Sequence, residues 1–279
     1  MADAMKPVQG VVRWRPLLSV RIQRAVLSVH LWRGVVGLAI VTVLWQFASD
    51  VGLPILKNIP KPTEVLDRWI YVAQTDKYWM SWLSSFLRVA VGFLVAQLIG
   101  IPLAMAMALS RTSYGTMFPV FEILRPIPPL AWVPASILFW PTWEMSITFV
   151  TFLGAFYTVV INVLGGVRAI DPAYIRAALS LGAKPRHVFW RIMIPAILPS
   201  VLTGMTVGIG ITWEVVVAAE MIGGNMERGG LGFFTWESYT GGSFPQIIIG
   251  MISIGIAGYL SSAIVRKAGD RLMPWRKLF

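Results

Sequence analysis

Five ionisable side chains lie within or beside long apolar runs: Arg88, Glu122, Arg125, Glu214 and Glu220. A desolvated charge is costly unless paired, so each needs a partner or a polar pathway to face. Glu122 and Arg125 are three positions apart and can pair on a helix. Glu214 and Glu220 differ by six positions, about 600° of helical rotation, which puts them on different sides. They are therefore not expected to form a two-carboxylate site. One is expected to line a pathway, the other to satisfy Arg125 or a neighbouring helix. The second candidate is Arg125 to Pro134, where Pro126, Pro128, Pro129 and Pro134 free backbone groups that are tolerated only against protein or a water-filled cavity. Arg125, Pro128, Pro129, Trp132, Glu214 and Glu220 are the candidate pathway-lining residues, with Trp132 as a gate. The alternative for the proline segment is a kink without solute contact. Other chemistry is excluded by composition. There is no Cys, so no disulfide, thiolate or Cys-held metal, and His30 and His187 lie far apart. No Gly-x4-Gly-Lys-Ser/Thr phosphate loop occurs. No catalytic residue, bound cofactor or metal site is expected.

The elements that must position these residues follow from composition. The 279 residues are 56% hydrophobic and only 13% charged, with mean hydropathy +0.69. Ordinary soluble domains carry roughly 25% charged residues. A span needs about 20 apolar residues to cross a core about 30 Å thick, and six runs qualify: 31–49, 86–109, 118–140, 145–167, 197–222 and 245–265. The predicted fold is all-α, a polytopic membrane protein of six helices. A basic arm at 1–30, suited to an amphipathic helix at a membrane face, precedes a membrane domain at 31–266. A basic tail at 267–279 follows. The arm lacks the apolar core and small-residue cleavage site of a secretory signal, so it is expected to stay on. Trp32, Trp140, Trp143 and Tyr259 suit interface anchors.

Lys and Arg set the orientation, because inner loops hold the excess. With the N-terminus inside, 17 basic residues fall in inner segments and 5 in outer ones. Both termini are predicted cytoplasmic. The net charge of +11 is then a topology signal, and nucleic acid is not an expected partner.

The inner loop 168–196, between the fourth and fifth spans, is the most heavily punctuated segment. Asp171 suits a helix N-cap, Pro172 the first helical position and Gly182 a left-handed C-cap. Pro185 opens a second short helix, and Pro195 and Pro199 bend the chain into the fifth span. The expectation is two short helices in tandem. Ala177 and Ala178 leave a smooth surface for another protein.

This loop resembles the permease subunits of binding-protein-dependent ABC importers. Their pattern runs Glu-Ala-Ala, three residues, Gly, nine residues, Ile, one residue, Leu-Pro. Here Ala177 and Ala178, Gly182, Ile192 and Pro195 keep the spacing, while Arg176 stands in place of Glu and Ile194 in place of Leu. Arg125 to Pro134, Leu181-Gly182-Ala183, Ala218-Ala219-Glu220-Met221 and Gly230-Leu231-Gly232 make the chain most similar to the nitrate, bicarbonate, taurine and alkanesulfonate branch.

The resemblance implies a bacterial inner-membrane permease subunit without catalytic activity, forming a pathway for a small anionic solute. It implies a second permease copy, two ATP-binding subunits that bind ATP and Mg, and a periplasmic or extracellular substrate-binding protein, with membrane lipid around the spans. Arg176, Ala177, Ala178, Leu181, Gly182, Ile192 and Pro195 would couple to the ATPase. The branch also includes importers of heterocycles, vitamin precursors and aromatic acids, which keeps that solute class open. An ion-coupled secondary transporter is the other class of function. It predicts broken helices in both halves, whereas the proline break occurs once.

Overall fold

A computed structural model describes residues 17–51, 59–223 and 229–275, those from 17 to 31 by backbone alone. All secondary structure among the described residues is helical. Contacts divide the chain into two compact units, Met1–Thr63 and Glu64–Phe279. Residues 1–16 of the arm and 276–279 of the tail lie outside the described residues.

In the first unit, α1 runs unbroken from Leu17 to Asp50, so the arm boundary at 30/31 falls within a helix. Its part from Trp32 is long and apolar enough to cross a membrane. Asp50 pairs with Lys61 at 2.6 Å and accepts from Gln46 at 3.0 Å, tying the helix end to the segment that follows.

The unit boundary falls in the first turn of α2 (Pro62–Val72), and the second unit goes on with α3 (Asp76–Leu109), α4 (Arg111–Leu124), α5 (Val133–Phe139), α6 (Trp143–Arg168), α7 (Pro172–Ser180), α8 (Pro185–Val188), α9 (Ile194–Gly223), α10 (Leu231–Thr240) and α11 (Phe244–Leu272). With α1, five helices among the described residues are long and apolar enough to span: Trp32–Asp50, Asp76–Leu109, Trp143–Arg168, Pro185–Gly223 and Phe244–Leu272. α3 begins ten residues before the expected span and, at 34 residues, is about 51 Å long. That exceeds the membrane core.

The run expected as a single third span, 118–140, is instead divided. α4 ends at Leu124, a turn follows, and a 3-10 turn at Pro129–Trp132 leads into α5. The cause is local. Pro126, Pro128 and Pro129 lack an amide donor, and each restricts the residue before it. The apolar piece Pro129–Phe139 is far shorter than a span.

The loop's expected second short helix also differs. α8 passes through a π turn at Phe189–Met193 directly into α9, giving one helix from Pro185 to Gly223. Ile194 N–H reaches back five residues to the Phe189 carbonyl. The wider turn accommodates Pro195, whose ring would otherwise crowd the carbonyl four residues earlier.

α3, α6 and α9 pack together as the core. Val89, Phe93 and Ala96 meet Ile147, Val150, Ile209, Trp213 and Val216 toward one end, and Ala104 and Met105 meet Val159, Val163, Ile197 and Val201 toward the other. α3 and α6 therefore run parallel, with α9 antiparallel to both. Gly204 packs on Asn162 and Val159, and Gly208 on Ala155, so this Gly-x3-Gly pair brings α9 close to α6. Buried hydroxyls of Thr151, Thr212 and Ser261 return to carbonyls one turn back, and Trp213 Nε1 donates to Ser261 Oγ at 3.0 Å.

Candidate functional site

The inner loop presents α7 as a free-standing capped rod. Asp171 Oδ1 accepts from Ala173 N–H at 2.7 Å, fixing the first turn. At the other end Ala183 N–H reaches the Ala178 carbonyl and Gly182 N–H the Leu179 carbonyl, each at 3.0 Å. This double bond pattern is a Schellman cap, and it requires the left-handed backbone that Gly182 adopts at φ +81°. No residue of α7 is buried. Tyr174, Leu179 and Leu181 expose apolar surface, Leu181 to 89%.

At the opposite end of the core, three helices converge on Arg88. Its Nε and Nη2 grip the Glu144 carboxylate at 2.9 and 2.6 Å. Nη1 donates to Glu220 Oε1 at 2.7 Å and to the Gly229 carbonyl at 2.8 Å. Ser85 Oγ donates to both Glu220 oxygens at 2.8 Å while accepting from Leu231 N–H at 2.8 Å. Gly232 N–H adds a bond to Glu220 Oε2 at 2.9 Å. Glu220 is 0% exposed and Arg88 5%. Gly230, at φ +136°, lets the backbone pass the carboxylate, which any Cβ there would strike. The network thus ties α3, α6 and α9 to the turn that opens α10. Ser85→Ala removes the hydroxyl that satisfies both Glu220 and Leu231 N–H. The expected cost is about 1–3 kcal/mol, read as a lower thermal midpoint of the detergent-solubilised chain.

The proline break forms the third feature. Arg125 and Pro129 line a cavity of about 340 Å³ with Tyr157, Thr158 and Asn162 of α6 and Ile211 of α9. Arg125 Nη1 lies 3.6 Å from Glu122 Oε1, both side chains about half exposed.

Residues 98–276 match the family described as Binding-protein-dependent transport system inner membrane component. The chain belongs to that family. Nitrate import permease protein NrtB of Synechocystis is 34% identical over 252 residues, covering 87% of this chain and 89% of its own. Taurine transport system permease protein TauC of Escherichia coli is 32% identical over 243 residues, 85% of this chain and 87% of its own. The fold is similar to that in inward-facing conformations of the MetNI methionine ABC transporter, with TM-score 0.52, 19% identity and coverage of 68% of this chain and 96% of that chain.

In this transport-system component the sequence candidates separate into distinct places. Arg176, Ala177, Ala178, Leu181 and Gly182 share α7 and its cap, with Arg176 and Ala177 exposed. Ile192 and Pro195 lie on the next helix, where they shape the π turn and the start of α9. Arg125 and Pro129 meet in the cleft. Pro128 is exposed and outside its lining, and Trp132 packs edge-on to Phe149, 6.4 Å between centroids. Glu214 is exposed on α9 along a stripe with Thr203, Val207 and Gly210. Glu220, a candidate for pathway lining, is enclosed by Arg88, Ser85 and Gly232 and presents no oxygen to a pathway here. Its partner comes from a neighbouring helix, as one of the two sequence alternatives had it, and Arg125 pairs with Glu122. The sequence reading missed Glu144, Tyr157, Thr158 and Asn162. Glu144 stands in the first turn of α6 beside the N-cap Thr142, a position its spacing alone does not connect to Arg88.

Proposed function

We propose that this chain forms the translocation pathway of an ATP-driven importer, carrying a small anionic solute delivered by a substrate-binding protein. The observation that carries the reading is α7: a short helix fixed at both caps, bare of core contacts and carrying exposed apolar side chains. Such a rod suits a groove on a separate ATP-hydrolysing subunit and passes closure of that subunit to α6 and α9, between which it is strung. Two ATP-binding subunits, holding ATP and Mg, would serve two copies of the permease. Arg176, placed where the family has glutamate, reverses the charge offered at that contact.

The solute class rests on the branch: relatives named for nitrate and taurine match over most of their length. Glu214 supports a pathway between two copies, because an exposed carboxylate on a spanning helix must face protein or water rather than lipid. Six crossings remain the reading. α3 and α6 run parallel, so residues 110–142 return across the same thickness as a composite of α4, the proline turn and α5. Six crossings put both termini on one side, and the basic residues of the α7 loop make it the cytoplasmic side. The setting is a bacterial inner membrane.

The test is reconstitution. The purified chain is expected to carry an ATP-hydrolysing subunit through purification, and solute uptake into vesicles is expected to require ATP and the binding protein. Accumulation by the chain alone, driven by an ion gradient, overturns the proposal in favour of a secondary transporter.

A further inference from the structure

The cleft at the proline break holds polar groups that the rest of the molecule leaves unused. Thr151, Thr203, Thr206, Thr212 and Thr235 each donate to the carbonyl four residues back, the ordinary fate of a helical threonine. The Thr158 hydroxyl makes no such bond, and neither it nor the Tyr157 hydroxyl has a hydrogen-bond partner among the described residues, although both residues line the cleft. Asn162, one turn on, spends one amide N–H on the Thr158 carbonyl at 2.8 Å and keeps a second donor. Arg125 lines the same cavity, and no carboxylate is among its lining residues. Its contact with Glu122 is long and half exposed, the weak type of ion pair that a better-placed anion displaces.

A guanidinium sharing a cleft with two hydroxyls and an amide is the chemistry of an oxyanion site. Arginine presents a planar fork that matches carboxylate, nitrate or sulfonate oxygens in pairs, and the neutral donors complete the shell. A cation is repelled by Arg125, and an apolar solute leaves the hydroxyls unsatisfied. We propose that this cleft binds the oxyanion group of the solute in transit, with Arg125 as the specificity-determining residue and Tyr157, Thr158 and Asn162 as its neutral donors. The role in transit rests on the importer reading; the binding itself does not.

Binding of nitrate and of radiolabelled taurine to the full chain in lipid nanodiscs, by equilibrium dialysis at constant ionic strength with chloride as the competing control, tests the site. Saturable binding that chloride does not displace is expected. Arg125→Gln is expected to raise the Kd about tenfold or more, and Tyr157→Phe combined with Thr158→Val about threefold to tenfold. The double variant keeps ring and branch volumes, including the packing of Tyr157 on Phe121 and Phe156, so an unchanged thermal midpoint separates lost donors from lost fold. Displacement of both probes by equimolar chloride, or affinities unaltered in these variants, overturns the site. Co-purification distinguishes this from the importer reading. A chain that binds nitrate but brings down no ATP-hydrolysing subunit keeps the site and loses the importer, and a chain that assembles but binds neither probe loses only the site.

Discussion

Arg88→Met is expected to destabilise the chain by about 3–5 kcal/mol, the range for removing one partner of a buried ion pair. The reason is the state in which it leaves Glu220, 0% exposed and stripped of the guanidinium that pairs with it. Ser85 Oγ and Gly232 N–H remain as donors, but neither carries charge. The Gly229 carbonyl also loses its donor, which loosens the turn into α10. Glu220→Gln is expected to cost less, about 1–2 kcal/mol, because Arg88 keeps its two bonds to Glu144 and glutamine can still accept from Gly232 N–H. Adding Glu220→Gln to Arg88→Met should recover part of the loss, since the uncompensated charge disappears. Chemical unfolding of the four forms in the same detergent gives the cycle. Equal costs for the two single variants, or no recovery in the double, would show that the guanidinium serves packing rather than charge compensation.

The same network shows where sequence reasoning stopped. Helical character, the spans and the caps of α7 are local properties, carried by runs of apolar residues and by Asp171, Pro172 and Gly182 in consecutive turns. Arg88 and Glu220 were both visible as charges in apolar segments, but they stand 132 positions apart. Their meeting depends on how far α3 and α9 slide past each other, which packing at glycines such as Gly204 and Gly208 decides. Glu144 was hidden for a different reason: in the first turn of a helix a carboxylate already has a favourable role beside the helix dipole. The proline segment was legible as a break, yet the tally of apolar residues across 118–140 outweighed it. Hydropathy sums over a window, whereas one missing amide donor ends a helix. In the cleft, Arg125 announced itself by charge. Tyr157, Thr158 and Asn162 did not, because single hydroxyls and amides are common in spans, and what singles these out is the cleft they share with Arg125 once α6 packs beside the proline break.

Gly182→Val is expected to cut transport-coupled ATP hydrolysis about tenfold or more while leaving the chain inserted and folded. Valine at a positive φ is a genuine outlier, and holding it there costs about 1–3 kcal/mol. No atom lies within 4 Å of a Cβ at this position, so the penalty is conformational and not a collision. What matters is how little α7 has to absorb it. Nine residues are too few for a stable isolated helix, and no buried side chain anchors it, so its order depends on the Asp171 cap and on the two cap bonds around Gly182. Strain at the second cap is released by fraying Ala177 to Leu181, the turn expected to meet the ATPase. The core of α3, α6 and α9 is untouched, and the thermal midpoint should stay near that of the parent. Gly182→Asn provides the control, because asparagine tolerates the left-handed region and should retain coupling within about twofold. Vesicles containing the assembled complex give both readouts, ATP hydrolysis with and without loaded binding protein, and uptake. If Gly182→Val hydrolyses ATP in step with uptake as the parent does, α7 is not the lever, and the docking surface must be sought elsewhere on the inner face.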